Sequence, residues 1–181
     1  EELSYEDRKR GYHKLLQLLL LMNVETTTQS GLRFQFSRHI GQQWSLEHIH
    51  AQNAEILNRA DQWKTWLTDH QSVLKAVAPS LDLPEITQLK TEVDYAIAEI
   101  DAGKPGHFSG EKFNALSSRI LRLLNKDDAP DHSIRNMALL SSGDNSRLSN
   151  SVFEVKRQVI LELDRKGEYV PVCTRNVFLK Y

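Results

Sequence analysis

Cysteine is nearly absent from this chain of 181 residues, since Cys173 is the only one. A single thiol forms no internal disulfide and no cysteine-rich zinc site, so the sequence predicts no structural zinc and a reducing, cytoplasmic environment. Long apolar runs are lacking as well. The stretch from Leu15 to Met22 is interrupted by Gln17, and it is far shorter than the roughly 20 residues that cross a bilayer. We therefore predict a protein with no membrane segment.

A surplus of charge of either sign is also missing. The 23 basic and 24 acidic side chains leave a net charge of −1. The molecule as a whole is therefore not attracted to nucleic acid, and any such affinity needs a local basic patch. The composition, 40% hydrophobic and 26% charged, is that of an ordinary globular protein. The length allows one domain with a sizeable core, or a small core with a helical insert.

The beginning of the chain predicts a helix followed by a β-hairpin. Residues 1–30 carry apolar side chains at helical spacing, which indicates an N-terminal helix. In residues 31–53, apolar and polar side chains alternate from Leu32 to Phe36, and the same period returns from Trp44. Two such runs separated by a glycine-containing turn are typical of a hairpin.

The rest of the chain predicts a large helical insert and a return to the core. Residues 54–130 keep helical spacing between Pro and Gly interruptions, which indicates three or four helices. Residues 131–181 predict four elements in order: a strand over Ile134–Leu140, a turn over Ser141–Asn145, a helix from Val152 to about Gly167, and an extended arm from Tyr169. The predicted fold class is α+β, mostly helical.

An acid next to an imidazole ends the second predicted strand, at Glu47 and His48. Phosphodiester hydrolysis needs a base that deprotonates water and a divalent cation that stabilises the departing oxygen. Histidine titrates near neutrality and suits the first task, and a carboxylate suits Mg²⁺ or Mn²⁺ for the second. Taken alone, the pair is more typical of a surface acid beside a half-buried histidine.

Two asparagines, nine positions apart, follow in the last third of the chain. Asn136 stands in the predicted strand and Asn145 ends the turn after it. A side-chain amide can brace a loop by hydrogen bonds, or give its carbonyl oxygen to a hard cation. We assign Asn136 to bracing and Asn145 to the metal, although each residue by itself is also common in turns.

Three segments carry a resemblance to a known family: WSLEHIHAQN, IRNMALLSSGDNSRLSNSVFEVKR and YVPVCTRNVFLKY. They resemble HNH (ββα-metal, His-Me finger) nucleases, and in particular the C-terminal domain of Gmr-type, modification-dependent (type IV) restriction enzymes and related phage-defence nucleases. The resemblance covers residues 32–53 and 131–181. It implies a ββα-metal core interrupted by a helical insert, because 87 residues lie between His48 and Asn136. Two positions depart from the family pattern. Many relatives have a proline where this chain has Ala51, and the first metal ligand is often an aspartate where this chain has Glu47.

The resemblance also implies roles for single residues. His48 would be the general base, Asn136 the residue that fixes the loop, and Glu47 and Asn145 the ligands of one Mg²⁺ or Mn²⁺. DNA or phosphate contacts are expected from five further residues: His50, Arg147, Asn150, Lys156 and Arg157. The electrostatic support is modest, because residues 131–181 hold eight basic and six acidic side chains.

The function that the resemblance implies is a metal-dependent DNA endonuclease of a bacterial restriction or phage-defence system. The expected partner is DNA, including modified phage DNA, and the expected location is the bacterial cytoplasm. In that family an N-terminal nucleotide-hydrolysing domain usually precedes this one, so the chain is expected to be the C-terminal part of a longer protein. Two alternatives stay open: a degenerate module that binds DNA or a partner, and a metallohydrolase that uses His48 and His50.

Overall fold

The computed structural model describes residues 11–50, 57–81, 84–103, 108–124, 131–148 and 151–179, without the side chains of 77–81 and 146–147. The elements follow in chain order: α1 (Gly11–Gln29), α2 (Phe36–His39), β1 (Trp44–His48), α3 (Ala60–Leu81), α4 (Pro84–Asp101), α5 (Gly110–Leu124), a 3₁₀ turn (Ile134–Asn136), β2 (Met137–Ser141), α6 (Ser142–Leu148), α7 (Phe153–Arg165) and α8 (Val172–Leu179). Helices and one small antiparallel sheet confirm the α+β, mostly helical class.

The chain divides into two compact units. The first comprises residues 1–50, 129–149 and 156–181, and the second comprises 51–128 and 150–155. Within the described ranges, no helix is long and apolar enough to cross a membrane.

The sheet of the first unit joins strands from distant parts of the sequence. β1 pairs antiparallel with β2, so that Trp44 lies opposite Ser141 and His48 lies opposite Met137. The hairpin predicted for residues 31–53 is therefore wrong. Residues 32–35 form no strand, and Phe34 instead stacks on the ring of His39 at 4.5 Å. The reason is that β2, whose five residues are all buried, is the better partner for β1.

The extended arm predicted at the C-terminus is also wrong, because α8 is helical. Thr174 and Phe178, four residues apart, form its buried face. Thr174 Oγ1 donates to the carbonyl of Leu139 at 2.6 Å and accepts the Leu139 N–H at 3.2 Å. This side chain thus satisfies both backbone groups of a buried residue in β2. The aromatic, β-branched tail packs on the sheet as a helix.

The turn predicted over Ser141–Asn145 is the beginning of α6. Ser141 Oγ accepts the N–H of Asp144 at 3.1 Å and donates to its carboxylate at 2.6 Å. This is the hydrogen bonding of a helix N-cap with an acid at the third helical position. Asp144 is therefore engaged in capping.

The second unit contains α3, α4, α5 and residues 150–155, which include the beginning of α7. Its buried core includes Trp66, Leu89, Phe113 and Val152. His70 is fully buried and stacks on Trp66 at 3.5 Å. Its Nδ1 donates to the Trp66 carbonyl at 2.7 Å and its Nε2 accepts the Val152 N–H at 3.2 Å. Both ring nitrogens are satisfied, so His70 is a structural residue that ties 150–155 to α3.

Candidate functional site

A buried ion pair lies at the end of β1. Glu47 Oε1 is 2.5 Å from Lys156 Nζ, and the same ammonium donates to the carbonyl of His48. The side chain of Lys156 has no exposed surface and that of Glu47 is 10% exposed. Burial lowers the pKa of Lys156, while the Glu47 carboxylate opposes this shift. Lys156, which was predicted to contact DNA or phosphate, therefore lies inside the protein and is paired with Glu47, the predicted metal ligand.

His48 is half-buried beside a second histidine. Its Nε2 is 3.2 Å from His132 Nδ1, and the two rings meet at 73°. The pKa of His48 is lowered to about 4, first by burial, then by the positive charges of Lys156 and His132, with Asp131 acting in the opposite sense. At neutral pH the imidazole of His48 is therefore uncharged and able to accept a proton.

His132 is a site residue that the sequence reasoning missed. It stands four positions before Asn136, just ahead of β2. The register places Met137 opposite His48, so the segment before β2 returns beside the end of β1. The sequence does contain a hint of this role. His132 stands only four positions before Asn136, and Asn136 was already predicted to fix the loop of the site.

Asn136 joins the chain on either side of the site. Its Oδ1 accepts the N–H of His50 at 2.7 Å, and its Nδ2 donates to the carbonyls of His50 at 3.1 Å and Asp131 at 2.9 Å. The side chain is 4% exposed, so these bonds are shielded from water. An asparagine here fixes the turn after β1 to the segment before β2, which is the place where the sequence predicts a brace.

Asn145, in α6, lies against β1. Its Nδ2 donates to the carbonyl of Leu46 at 3.4 Å, while its buried Oδ1 has no hydrogen-bond partner in the part of the chain that the structure describes. Leu46 and His48 are two positions apart on one strand, a distance of about 7 Å. A buried carbonyl oxygen with an unused lone pair suits a hard cation. Among the described residues, however, no three His, Cys, Asp or Glu side chains converge as a metal site.

The remaining predicted contacts are less well placed. His50 is exposed and Arg157 is half-buried. The side chain of Arg147 and the whole of Asn150 lie outside the described residues.

No family model, curated protein or solved structure matches this chain. The arrangement of His48, His132, Asn136 and Asn145 is therefore what bears on function.

Proposed function

We propose that this chain is a metal-dependent DNA endonuclease of the HNH, ββα-metal class. One observation carries the proposal: the neutral imidazole of His48 ends β1, and Asn145 lies against the same strand with a buried side-chain oxygen that has no hydrogen-bond partner among the described residues. The order of parts also supports it. A strand ends in histidine, an asparagine braces the following loop, a second strand pairs with the first, and a helix then brings Asn145 to the sheet.

His48 would deprotonate the attacking water. If His48 Nε2 donates its proton to His132 Nδ1, the lone pair remains on His48 Nδ1, where it can take a proton from water. A pKa of about 4 makes the free imidazole a weak base. The negative phosphate of bound DNA would offset the charge of Lys156 and raise that pKa toward neutrality, where general-base catalysis works best.

Glu47 and Asn145 would hold the cation. The donor set of one carboxylate and one amide oxygen fits Mg²⁺ or Mn²⁺, which prefer oxygen ligands. When bound, such an ion offsets the charge that develops on the departing oxygen. Lys156 contacts the Glu47 carboxylate and holds the His48 backbone, so its role in this scheme is positioning.

A second candidate is a module that binds DNA or a partner without cleaving it. The observation that favours it is the ion pair itself, because the positive charge of Lys156 already compensates Glu47. The two candidates differ in their metal requirement. Binding to DNA that is unaffected by Mg²⁺, with no strand cleavage, is expected of the binding module.

Plasmid nicking tests the endonuclease proposal. Supercoiled DNA, unmodified and modified, is incubated with the protein over a range of Mg²⁺ and Mn²⁺ concentrations. Wild type is expected to relax the plasmid, and His48→Ala to lose at least about 100-fold in rate, the contribution of a general base. His13→Ala is the matched control, since His13 is an exposed histidine on α1. Full cleavage by His48→Ala would remove the mechanism.

A further inference from the structure

An apolar groove of about 420 Å³ lies between α4 and α5 in the second unit. Its lining includes Ala96 and Leu116, which are buried, and Tyr95, which is 72% exposed. Within the described ranges, Tyr95 is the one large exposed apolar side chain of the second unit. The groove is open to solvent, whereas a small-molecule pocket encloses most of its ligand. It is therefore better suited to the side chains of a packed helix.

Charged side chains line the same groove in two rows of opposite sign. α4 contributes Glu92 and Glu99, and α5 contributes Lys112 and Arg119. Arg119 donates to both carboxylate oxygens of Glu92, at 2.5 and 3.2 Å, and Lys112 Nζ lies 3.5 Å from Glu99 Oε2. The higher-numbered acid pairs with the lower-numbered base, so the two helices run antiparallel. The two ion pairs thus mark two levels along the groove, about two helical turns apart.

We propose that this face binds the same face of a second copy of the chain, so that the two α4–α5 pairs form an antiparallel four-helix bundle around a twofold axis. When the axis runs parallel to the helices, α4 of one copy lies over α5 of the other at the same level. Glu92 then lies beside Arg119 of the other copy, and Glu99 beside Lys112 of the other copy. Every pair of neighbouring helices is antiparallel, as in up-and-down four-helix bundles.

The charge pattern selects both the occupant and its orientation. A twofold axis perpendicular to the helices would lay α4 on α4 and α5 on α5, so that carboxylates face carboxylates and cations face cations, which is repulsive. The parallel axis places each acidic row on a basic row instead. The four side chains are each at least one third exposed, so they remain accessible to a second partner. A second copy carries both rows at the matching spacing on one apolar face.

The size of this face predicts a weak dimer. α4 has 18 residues and α5 has 15, so the two helices share a length of about 22 Å. With about 8–10 Å between packed helix axes, the pair presents a strip about 20 Å wide, and a dimer buries about 900 Å² in total. This area is at the low end of specific interfaces, where association is transient. We therefore expect a micromolar dissociation constant.

Sedimentation velocity of the full chain, over about 1 to 200 µM, tests the dimer. Wild type is expected to shift from monomer to dimer as its concentration rises. Tyr95→Glu puts a carboxylate into the apolar face beside the acidic row, so it should raise the dissociation constant at least about tenfold. Thr87→Glu is the matched control, since Thr87 is exposed on the same helix but does not line the groove. It should dimerise like wild type, and circular dichroism checks that both variants fold.

A charge-reversal pair tests the matching of the rows. Glu92→Lys with Glu99→Lys makes both rows basic, and Lys112→Glu with Arg119→Glu makes both rows acidic. Each double variant alone should remain monomeric, because two faces of the same sign repel each other. An equal mixture of the two should form a heterodimer. The affected ion pairs are partly exposed, so their loss should cost the fold little.

The outcomes decide the proposal in either direction. A wild type that stays monomeric at every concentration overturns it, and so does a dimer that Tyr95→Glu leaves unchanged. Dissociation by Phe36→Glu, at an aromatic residue of the first unit that is 66% exposed, with no effect of Tyr95→Glu, would place the interface there instead. A mixture of the double variants that does not associate overturns the pairing of the rows. These measurements need neither DNA nor metal, so they are independent of the proposed endonuclease function.

Discussion

Replacing Lys156 by methionine removes the ammonium that lies 2.5 Å from Glu47 Oε1 and keeps an unbranched side chain. The change leaves the Glu47 carboxylate, whose side chain is nine-tenths buried, without a compensating positive charge. Breaking a buried ion pair in this way costs about 3–5 kcal/mol, because the remaining charge cannot regain its hydration. We therefore expect the free energy of unfolding of Lys156→Met to fall by about that amount. This is a large share of the 5–15 kcal/mol that is typical of a whole domain.

A matched control lies just beyond the end of the same helix. Lys166, in the turn after α7, pairs with Glu162 of α7 at the same distance of 2.5 Å, but both side chains are more than half exposed. An exposed pair of this spacing contributes about 0.3–0.5 kcal/mol. Lys166→Met should therefore change the free energy of unfolding by less than 1 kcal/mol. The contrast between the two variants isolates burial as the cause.

Urea unfolding, followed by circular dichroism, measures both variants. The double variant Glu47→Gln, Lys156→Met removes the stranded charge, so it should recover part of the loss seen in Lys156→Met. Equal unfolding midpoints for Lys156→Met and Lys166→Met would refute the reasoning. That result would mean that water reaches Glu47 and that the pair is not buried in solution.

Three further predictions concern asparagine and histidine side chains. Asn136→Ala loses three side-chain hydrogen bonds and should cost about 2–4 kcal/mol in urea unfolding; a cost below 1 kcal/mol would contradict the brace. His70→Ala loses two buried hydrogen bonds and should unfold at lower urea, which an unchanged midpoint would disprove. The pKa of His48 is lowered from 6.5 to about 4, so its contribution to stability is full above pH 6.5 and declines as the pH falls toward 4. Ring NMR titration checks this, and a midpoint near 6.5 would be inconsistent with it.

Long periodic segments were predictable from the sequence, and so was the strand from Met137 onward. Ile134–Asn136, predicted as the beginning of that strand, form a 3₁₀ turn instead. The apolar spacing of α7 correctly indicates a helix because residues three and four apart share a face. The partner of β1 was not predictable. Local alternation at Leu32–Phe36 indicated a strand next to β1 in the sequence, whereas the true partner, β2, begins only at Met137. Pairing between distant strands depends on which apolar faces are buried together, and a single sequence does not contain that information.

The sequence predicts that Lys156 is buried, but it does not predict the residue with which Lys156 pairs. It stands four positions before Ile160 and seven before Leu163, and both of those residues are fully buried. Helical spacing therefore places Lys156 on the inner face of α7. Its partner was not visible, because Glu47 comes from a different segment and only the folded chain brings the two together. A lysine on an apolar helix face is better interpreted as half of a buried pair than as a phosphate contact.

The same ion pair limits how the candidate site can bind a cation. Glu47 carries one negative charge, Lys156 carries one positive charge, and Asn145 carries none. A divalent ion at Glu47 would bring three positive charges against one carboxylate, an arrangement that is repulsive inside a protein. The phosphate of bound DNA would supply negative charge beside the ion, and it would also make His48 a stronger base. On these electrostatic grounds, metal and DNA should bind this site cooperatively, and the protein without DNA should bind Mg²⁺ weakly.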